Sequence, residues 1–215
     1  MAQEVRILAA SLVDMLALEE HLRVPLGAQR EDADFAEYPD VAALVTRMSS
    51  LCDTHVQTLR SALESIDKDA SPGAKPAIAQ IEGSVAATIE KLRSSKVGKA
   101  LRDDYTTLSL CCINYGTMLA TAKAIGNARI PQLAERHLRD YARAMLQIGE
   151  AMPEVVVQEL RAAGFEASSD AIAPSRSAIA TAWRSSIEGQ AQVETGSIES
   201  TAAANRAASP TYPTI

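Results

Sequence analysis

Aromatic side chains are scarce in this 215-residue chain: one Trp, two Phe and five Tyr, 4% of the total, beside only 10 Gly and 9 Pro. Sandwiches and barrels of many short strands need β-branched and aromatic residues with frequent turns, so an all-β fold is set aside. A basic excess is lacking too. The chain has 21 Lys and Arg against 27 Asp and Glu; the resulting charge of −6 repels a phosphate backbone, and no nucleic-acid partner is expected. Cysteine is limited to Cys52, Cys111 and Cys112, an odd number that makes no disulfide framework and fits reduced thiols in a cytoplasm. The opening stretch carries Glu4 and Asp14 without a basic leading segment, and reads as a first helix rather than a signal peptide. One uncharged run, the 18 residues from Tyr105 to Ala122, approaches the length of a membrane span. It holds four Thr, Ser109, Asn114 and Gly116, and follows Asp103 and Asp104 directly, so it reads as a helix inside a bundle; no membrane insertion is expected.

What is present is aliphatic and helix-forming: 47% of the residues are hydrophobic, with few breakers among them. Breaks fall at Pro25–Pro39, at 67–76, near Ser94–Gly98 and at Gly126–Pro131. They delimit four long helices at about 3–28, 40–66, 98–126 and 130–163, with a shorter one at about 76–93. Short connections imply antiparallel neighbours, and the short helix becomes a crossover between the second and third long ones. The expected fold is all-α: a ferritin-like antiparallel four-helix bundle over 1–165. A tail over 166–215, half of it Ala, Ser and Thr, completes the chain. In that tail Ile179, Trp183 and Ile187 fall at i, i+4, i+8 behind Pro174, which predicts a short marginal helix over 174–187 and disorder beyond it.

The apolar stripes carry polar interruptions. In the first helix Leu8, Leu12, Met15, Leu22 and Leu26 line one face, and Glu19 fills the gap. In the second, Leu44, Met48, Leu51, Leu59 and Ile66 are interrupted by His55. The third presents Leu101, Tyr105, Leu108, Cys112, Tyr115, Leu119 and Ala122; the last presents Ile130, Leu133, His137, Tyr141, Met145, Ile148 and Met152, with Pro153 expected to bend it or start a new segment. A carboxylate or imidazole on such a face needs a partner, because an unpaired buried charge costs several kcal/mol. In a four-helix bundle these residues are the raw material of a di-iron site, built from a Glu on each of two helices and a Glu-x-x-His on each of the other two.

Leu51-Cys52-Asp53-Thr54-His55-Val56-Gln57 resembles the L-E-E-T-H-x-Q segment of the YciF-type ferritin-like family, a bacterial group associated with stress responses. The stretch LALEEHL over 16–22 is similar to that family's Y-x-A-E-x-Q-L and aligns Glu19 with its first-helix glutamate. NYGTM over 114–118, followed by AKAIG up to Gly126, resembles S-Y-G-T-L…A-x-x-L-G. The resemblance spans residues 4 to about 150 and implies the ferritin-like fold. Its di-iron ligands are mostly gone. Cys52 stands for the glutamate of the second-helix Glu-x-x-His; Leu108-Ser109-Leu110-Cys111 stands for E-H-Y-E; and the last helix keeps only Arg139-Asp140-Tyr141, with Arg143 beside it.

The remaining candidate ligands are Glu19, Cys52, His55 and Asp140, too few to bridge two irons, so an intact di-iron centre is not expected. The plain reading is a buried Glu19–His55 pair and no metal. A sharper one is a single ion on Glu19, His55 and the Cys52 thiolate; zinc suits that mixed set, with iron and manganese as the alternatives. A nucleophilic Cys52 and a redox pairing of Cys52 with Cys111 are weaker readings, Arg143 is a candidate to supply positive charge near Asp140 or Glu19, and His21 and His137 read as surface or packing residues. The leading expectation is a cytoplasmic, stress-related bundle with a degenerate metal site, dimeric through its first helices and working structurally, by interaction or by binding a single metal, with enzyme activity left open as a rival. The rivals are a metal oxidoreductase acting on peroxide or oxygen, and an adaptor that docks a protein partner through Trp183 and the tail.

Overall fold

The computed structural model describes residues 2–69 and 97–184, and among them every regular element is helical. The chain divides into two compact units, 1–168 and 169–215. The first unit contains α1 (Ala2–Glu31), α2 (Ala33–Ala36), α3 (Pro39–Asp69), α4 (Val97–Ala124) and α5 (Ile130–Ala162). Of the second unit, a 3-10 turn over Ser169–Ala171 and a helix over 172–184 are described; Pro174 lies in its first turn, as a proline at a helix start should. The crossover helix expected at 76–93 and the tail beyond residue 184 lie outside the described residues.

Local chemistry explains where the helices stop. Gly126 adopts a left-handed φ of 72°, its N–H bonds the Lys123 carbonyl, and Asn127 N–H reaches back to Ala122. Gly164 repeats this glycine-closed ending at φ 87°, with N–H bonds from Gly164 to Arg161 and from Phe165 to Leu160. The Asn127 side chain then accepts from the N–H groups of Arg129 and Ile130, launching α5 with Pro131 in its first turn.

Both internal prolines stand inside continuous helices, and no new segment starts at Pro153. α1 continues through Pro25 to Glu31, and α5 continues through Pro153 to Ala162. An internal proline costs about 3 kcal/mol. Beyond Pro25 the helix buries Leu26 completely and sends Gln29 to Asp104; beyond Pro153 it buries Val155 and holds the Gly98 N–H with Glu159 at 2.8 Å. Packing of those turns offsets the lost hydrogen bond.

The four long helices pack as α1 on α3, α3 on α5, α5 on α4 and α4 on α1. Paired positions fix the directions: Glu19 meets Tyr115 while Gln29 meets Asp104, and His55 meets Asp140 while Ser65 meets Arg129. Within each of these two pairs one index rises as the other falls, so α1 and α4 are antiparallel, as are α3 and α5; Lys123 meeting Glu135 while Gly98 meets Glu159 makes α4 and α5 antiparallel too. Helices α3 and α4 therefore run in the same direction, so α3 ends and α4 begins at opposite ends of the bundle. No helix among the described residues is long and apolar enough to cross a membrane. The uncharged run of α4 forms one wall of the bundle.

The core of α1 follows the expected stripe, but α4 turns a different line inward. Leu101, Leu108, Tyr115 and Ala122 are buried as expected, whereas Asp104, Cys111 and Met118 fill the positions between them; Tyr105, Cys112 and Leu119 sit at the margin. Both lines step alternately by three and four, so periodicity alone does not choose between them. Leu108 is fully buried while Leu110 is 50% exposed. Leu108→Ala is expected to cost about 2–5 kcal/mol and Leu110→Ala less than about 0.5 kcal/mol, measured by denaturant unfolding of the full chain. Equal losses would contradict this orientation of α4.

Candidate functional site

At mid-height of the bundle, α1 places Glu19 at 0% exposure, in the gap of its apolar stripe. Each of the other long helices brings a group to it. From α3, His55 sets Nδ1 3.2 Å from Glu19 Oε1; from α4, the Tyr115 hydroxyl donates to the same oxygen; from α5, the Tyr141 hydroxyl donates to Oε2. Both carboxylate oxygens are thus occupied by donors, the arrangement that makes a buried carboxylate tolerable.

The network continues outward from there. His137 Nδ1 lies 2.9 Å from the Tyr115 oxygen. The single phenolic proton of Tyr115 is given to Glu19, so the Tyr115 oxygen accepts and His137 carries its hydrogen on Nδ1. The two imidazoles stack at 3.7 Å with their planes 13° apart. Burial and the neighbouring His55 push His137 down to about 3, so it stays neutral through the physiological range. The other ring nitrogen of His55, Nε2, faces Asp140 Oδ2 at 3.3 Å; Asp140 stands at the rim with 28% of its side chain exposed. Both nitrogens of His55 therefore face carboxylates, and both donate only when the ring carries two protons.

Burial and the charge of Glu19 raise the phenols of Tyr115 and Tyr141 far above their ordinary value, which keeps them protonated donors. The same two causes raise the thiols of Cys52 and Cys111. Cys52 is a neutral thiol whose hydrogen is given to the Glu19 backbone carbonyl, 3.2 Å away. Nucleophilic or metal-ligating thiolate chemistry calls for the opposite environment, a thiol with a depressed pKa.

All four residues singled out from the sequence thus lie at this height. Glu19, His55 and Asp140 are joined by hydrogen bonds, while Cys52 gives its thiol hydrogen to the Glu19 backbone carbonyl. Arg143 is exposed and is not among the described partners of either acid. His21 is exposed as well. His137 is buried, stacked on His55, and belongs to the cluster; so do Tyr115 and Tyr141, to which no site role was assigned. The available signal was their position on the inner stripes of the third and last long helices, His137 and Tyr141 one turn apart.

A di-iron centre does not fit these donors. It needs bridging acids, and Cys52 and Cys111, both fully buried, occupy positions where the resemblance would place acids. A single ion fits better. One ligand atom each from Glu19, His55 and His137 lie within 4.8 Å of one another, so the group could hold one metal. An imidazole lone pair lies in its ring plane, however, and the two rings are nearly parallel. An ion in the plane of one ring is displaced from the plane of the other, so one ring must turn before both can bind.

No known protein-family model matches the chain, and no curated protein matches it. A crystal structure of a protein from Xanthomonas campestris pv. campestris is similar to it, with a TM-score of 0.51 and 18% identity, over 76% of this chain and 99% of that one. At that identity the likeness is one of fold alone.

Proposed function

We propose that this chain is a ferritin-like bundle protein in which a closed hydrogen-bond network stands in place of a di-iron centre, and whose work is structural or interaction-based rather than ferroxidase chemistry. The observation that supports it is the state of Glu19: both oxygens of this central carboxylate accept hydrogen bonds from the protein's own Tyr115, Tyr141 and His55. Association with bacterial stress, a cytoplasmic setting and a homodimer come from the sequence resemblance and composition, and stand as parts of the same reading.

A second reading, a single-ion site on Glu19, His55 and His137, is favoured by the convergence of their ligand atoms. Two nitrogens and a carboxylate suit zinc or another borderline divalent ion, with Asp140 at the rim as a candidate fourth ligand. The thiol of Cys52 takes no part in this set.

Elemental analysis of the full chain, purified after growth with added iron, manganese or zinc, separates the readings. The network reading expects no ion that depends on Glu19. About one ion per chain, lost in Glu19→Gln and in His137→Ala, would establish the single-ion site; two irons per chain would overturn both.

The network also makes an energetic prediction. Tyr141→Phe and Tyr115→Phe each remove one donor from a buried charge and should cost about 1.5–3 kcal/mol in denaturant unfolding. The double variant should depart from additivity, because both donors serve the same carboxylate. Losses near zero would mean that Glu19 does not carry its charge in the core.

A further inference from the structure

A second buried acid lies away from the Glu19 cluster, where α1 meets the first turns of α4. Asp104 is 3% exposed, and its Oδ1 accepts from Gln29 Nε2 at 3.0 Å across the interface. Two atoms of the same pair, Asp104 Oδ2 and Gln29 Oε1, are buried and without a partner among the described residues. Both are acceptors. An ionised Asp104 has no hydrogen to offer the amide oxygen, and two buried oxygens then remain unsatisfied, having lost their water without gaining a donor.

A carboxylic acid and a primary amide are complementary in another state. With a proton on Oδ2, the acid donates to the amide oxygen while the amide N–H donates to Oδ1, and one hydrogen answers both orphaned atoms. We propose that Asp104 and Gln29 form a proton-closed acid–amide latch between α1 and α4, made when Asp104 is neutral and opened when it ionises.

The surroundings agree with this. Burial pushes the Asp104 carboxyl up to about 7; the Gln29 hydrogen bond acts against that rise and the charge of Asp103 adds to it. Asp103 lies on the same helix, exposed and paired with Lys99 at 2.8 Å. From α1 the contact is the uncharged Gln29, and no charged group of α5, the other neighbour of α4, is among the causes of the shift. Among the described residues no cation is paired with Asp104.

The sign follows from linkage. The folded protein holds the proton up to about pH 7 while the unfolded chain loses it near 3.8, so stability falls as pH rises between those values. The unfolding equilibrium constant should rise about tenfold per pH unit within that window, at most ~100-fold between about pH 5 and about pH 8.5. Asp104→Asn mimics the neutral acid, since an Asn–Gln pair closes the same ring of two hydrogen bonds.

The test compares denaturant unfolding of the full wild-type chain and the Asp104→Asn variant across that range, with carbon-13 NMR of the Asp104 carboxyl as a direct readout. The latch predicts that the variant loses this component of the pH dependence, exceeds wild type in stability above neutral pH, and that the wild-type carboxyl titrates near neutrality. A carboxyl that ionises in the ordinary range near 4 would overturn the proposal, as would a variant that keeps the full wild-type pH dependence. If the variant fails to fold, the wild-type titration still decides.

Discussion

One ionisable group in the middle of the bundle organises the rest: a fully buried carboxylate, Glu19, served by a donor from each of the other three long helices. Desolvating a carboxylate is expensive enough that it persists in a core only where its partners are in place. Those partners sit at fixed heights on α3, α4 and α5. Sliding any one helix by a turn, about 5.4 Å, would withdraw its donor and leave the charge undersupplied. Aliphatic stripes tolerate such slips more readily, because Leu against Leu is much the same one turn on. The carboxylate therefore supplies what the apolar core lacks, a preference for one register of four helices.

The sequence made that centre partly legible, and the division has physical causes. Glu19 and His55 stood out because a charged or titratable residue interrupts an apolar stripe, and such a residue must be answered from another helix. Tyr115 and Tyr141 did not stand out, because a tyrosine counts as apolar in a periodic pattern while carrying the hydroxyl that does the answering. His137 lay on the inner stripe of the last helix and was read as bland, since one sequence does not show which helix faces which. The helices themselves were largely readable: the four long ones fall close to their expected bounds, and Gly126 ends α4 with the backbone geometry that favours glycine. Pro25 and Pro153 both stand inside helices, because local propensity yields where the following turns bury side chains such as Leu26 and Val155. The inner face of α4 was half right, as two interleaved lines shared the same period.

Charge balance ties the cysteines to the tyrosines. Acids at the positions of Cys52 and Cys111 would bring further negative charge beside Glu19, and a core with several carboxylates needs cations to neutralise it. Cysteine fills those volumes without charge, and burial, reinforced by the charge of Glu19, keeps both thiols protonated. With uncharged thiols there, the single carboxylate can be satisfied by neutral donors, which is what Tyr115 and Tyr141 provide. The neutral cysteines and the phenol donors are thus mutually dependent. An acid at either cysteine position alone would add a buried charge whose nearest ionised neighbour is another carboxylate.

Glu19 and Asp104 show opposite solutions to the same constraint. Glu19 is surrounded by groups that can only give hydrogens to it in this arrangement: two phenols raised far above their ordinary value and an imidazole nitrogen. Asp104 faces an amide that offers one hydrogen and one lone pair, so its environment accepts a neutral acid as readily as Glu19's environment accepts an anion. Burial acts on both, and the chemistry of the partners decides which protonation state the fold can use. In this bundle the same functional group therefore serves as a hydrogen-bond acceptor for three helices at the centre and as a proton-dependent joint where α1 meets the start of α4.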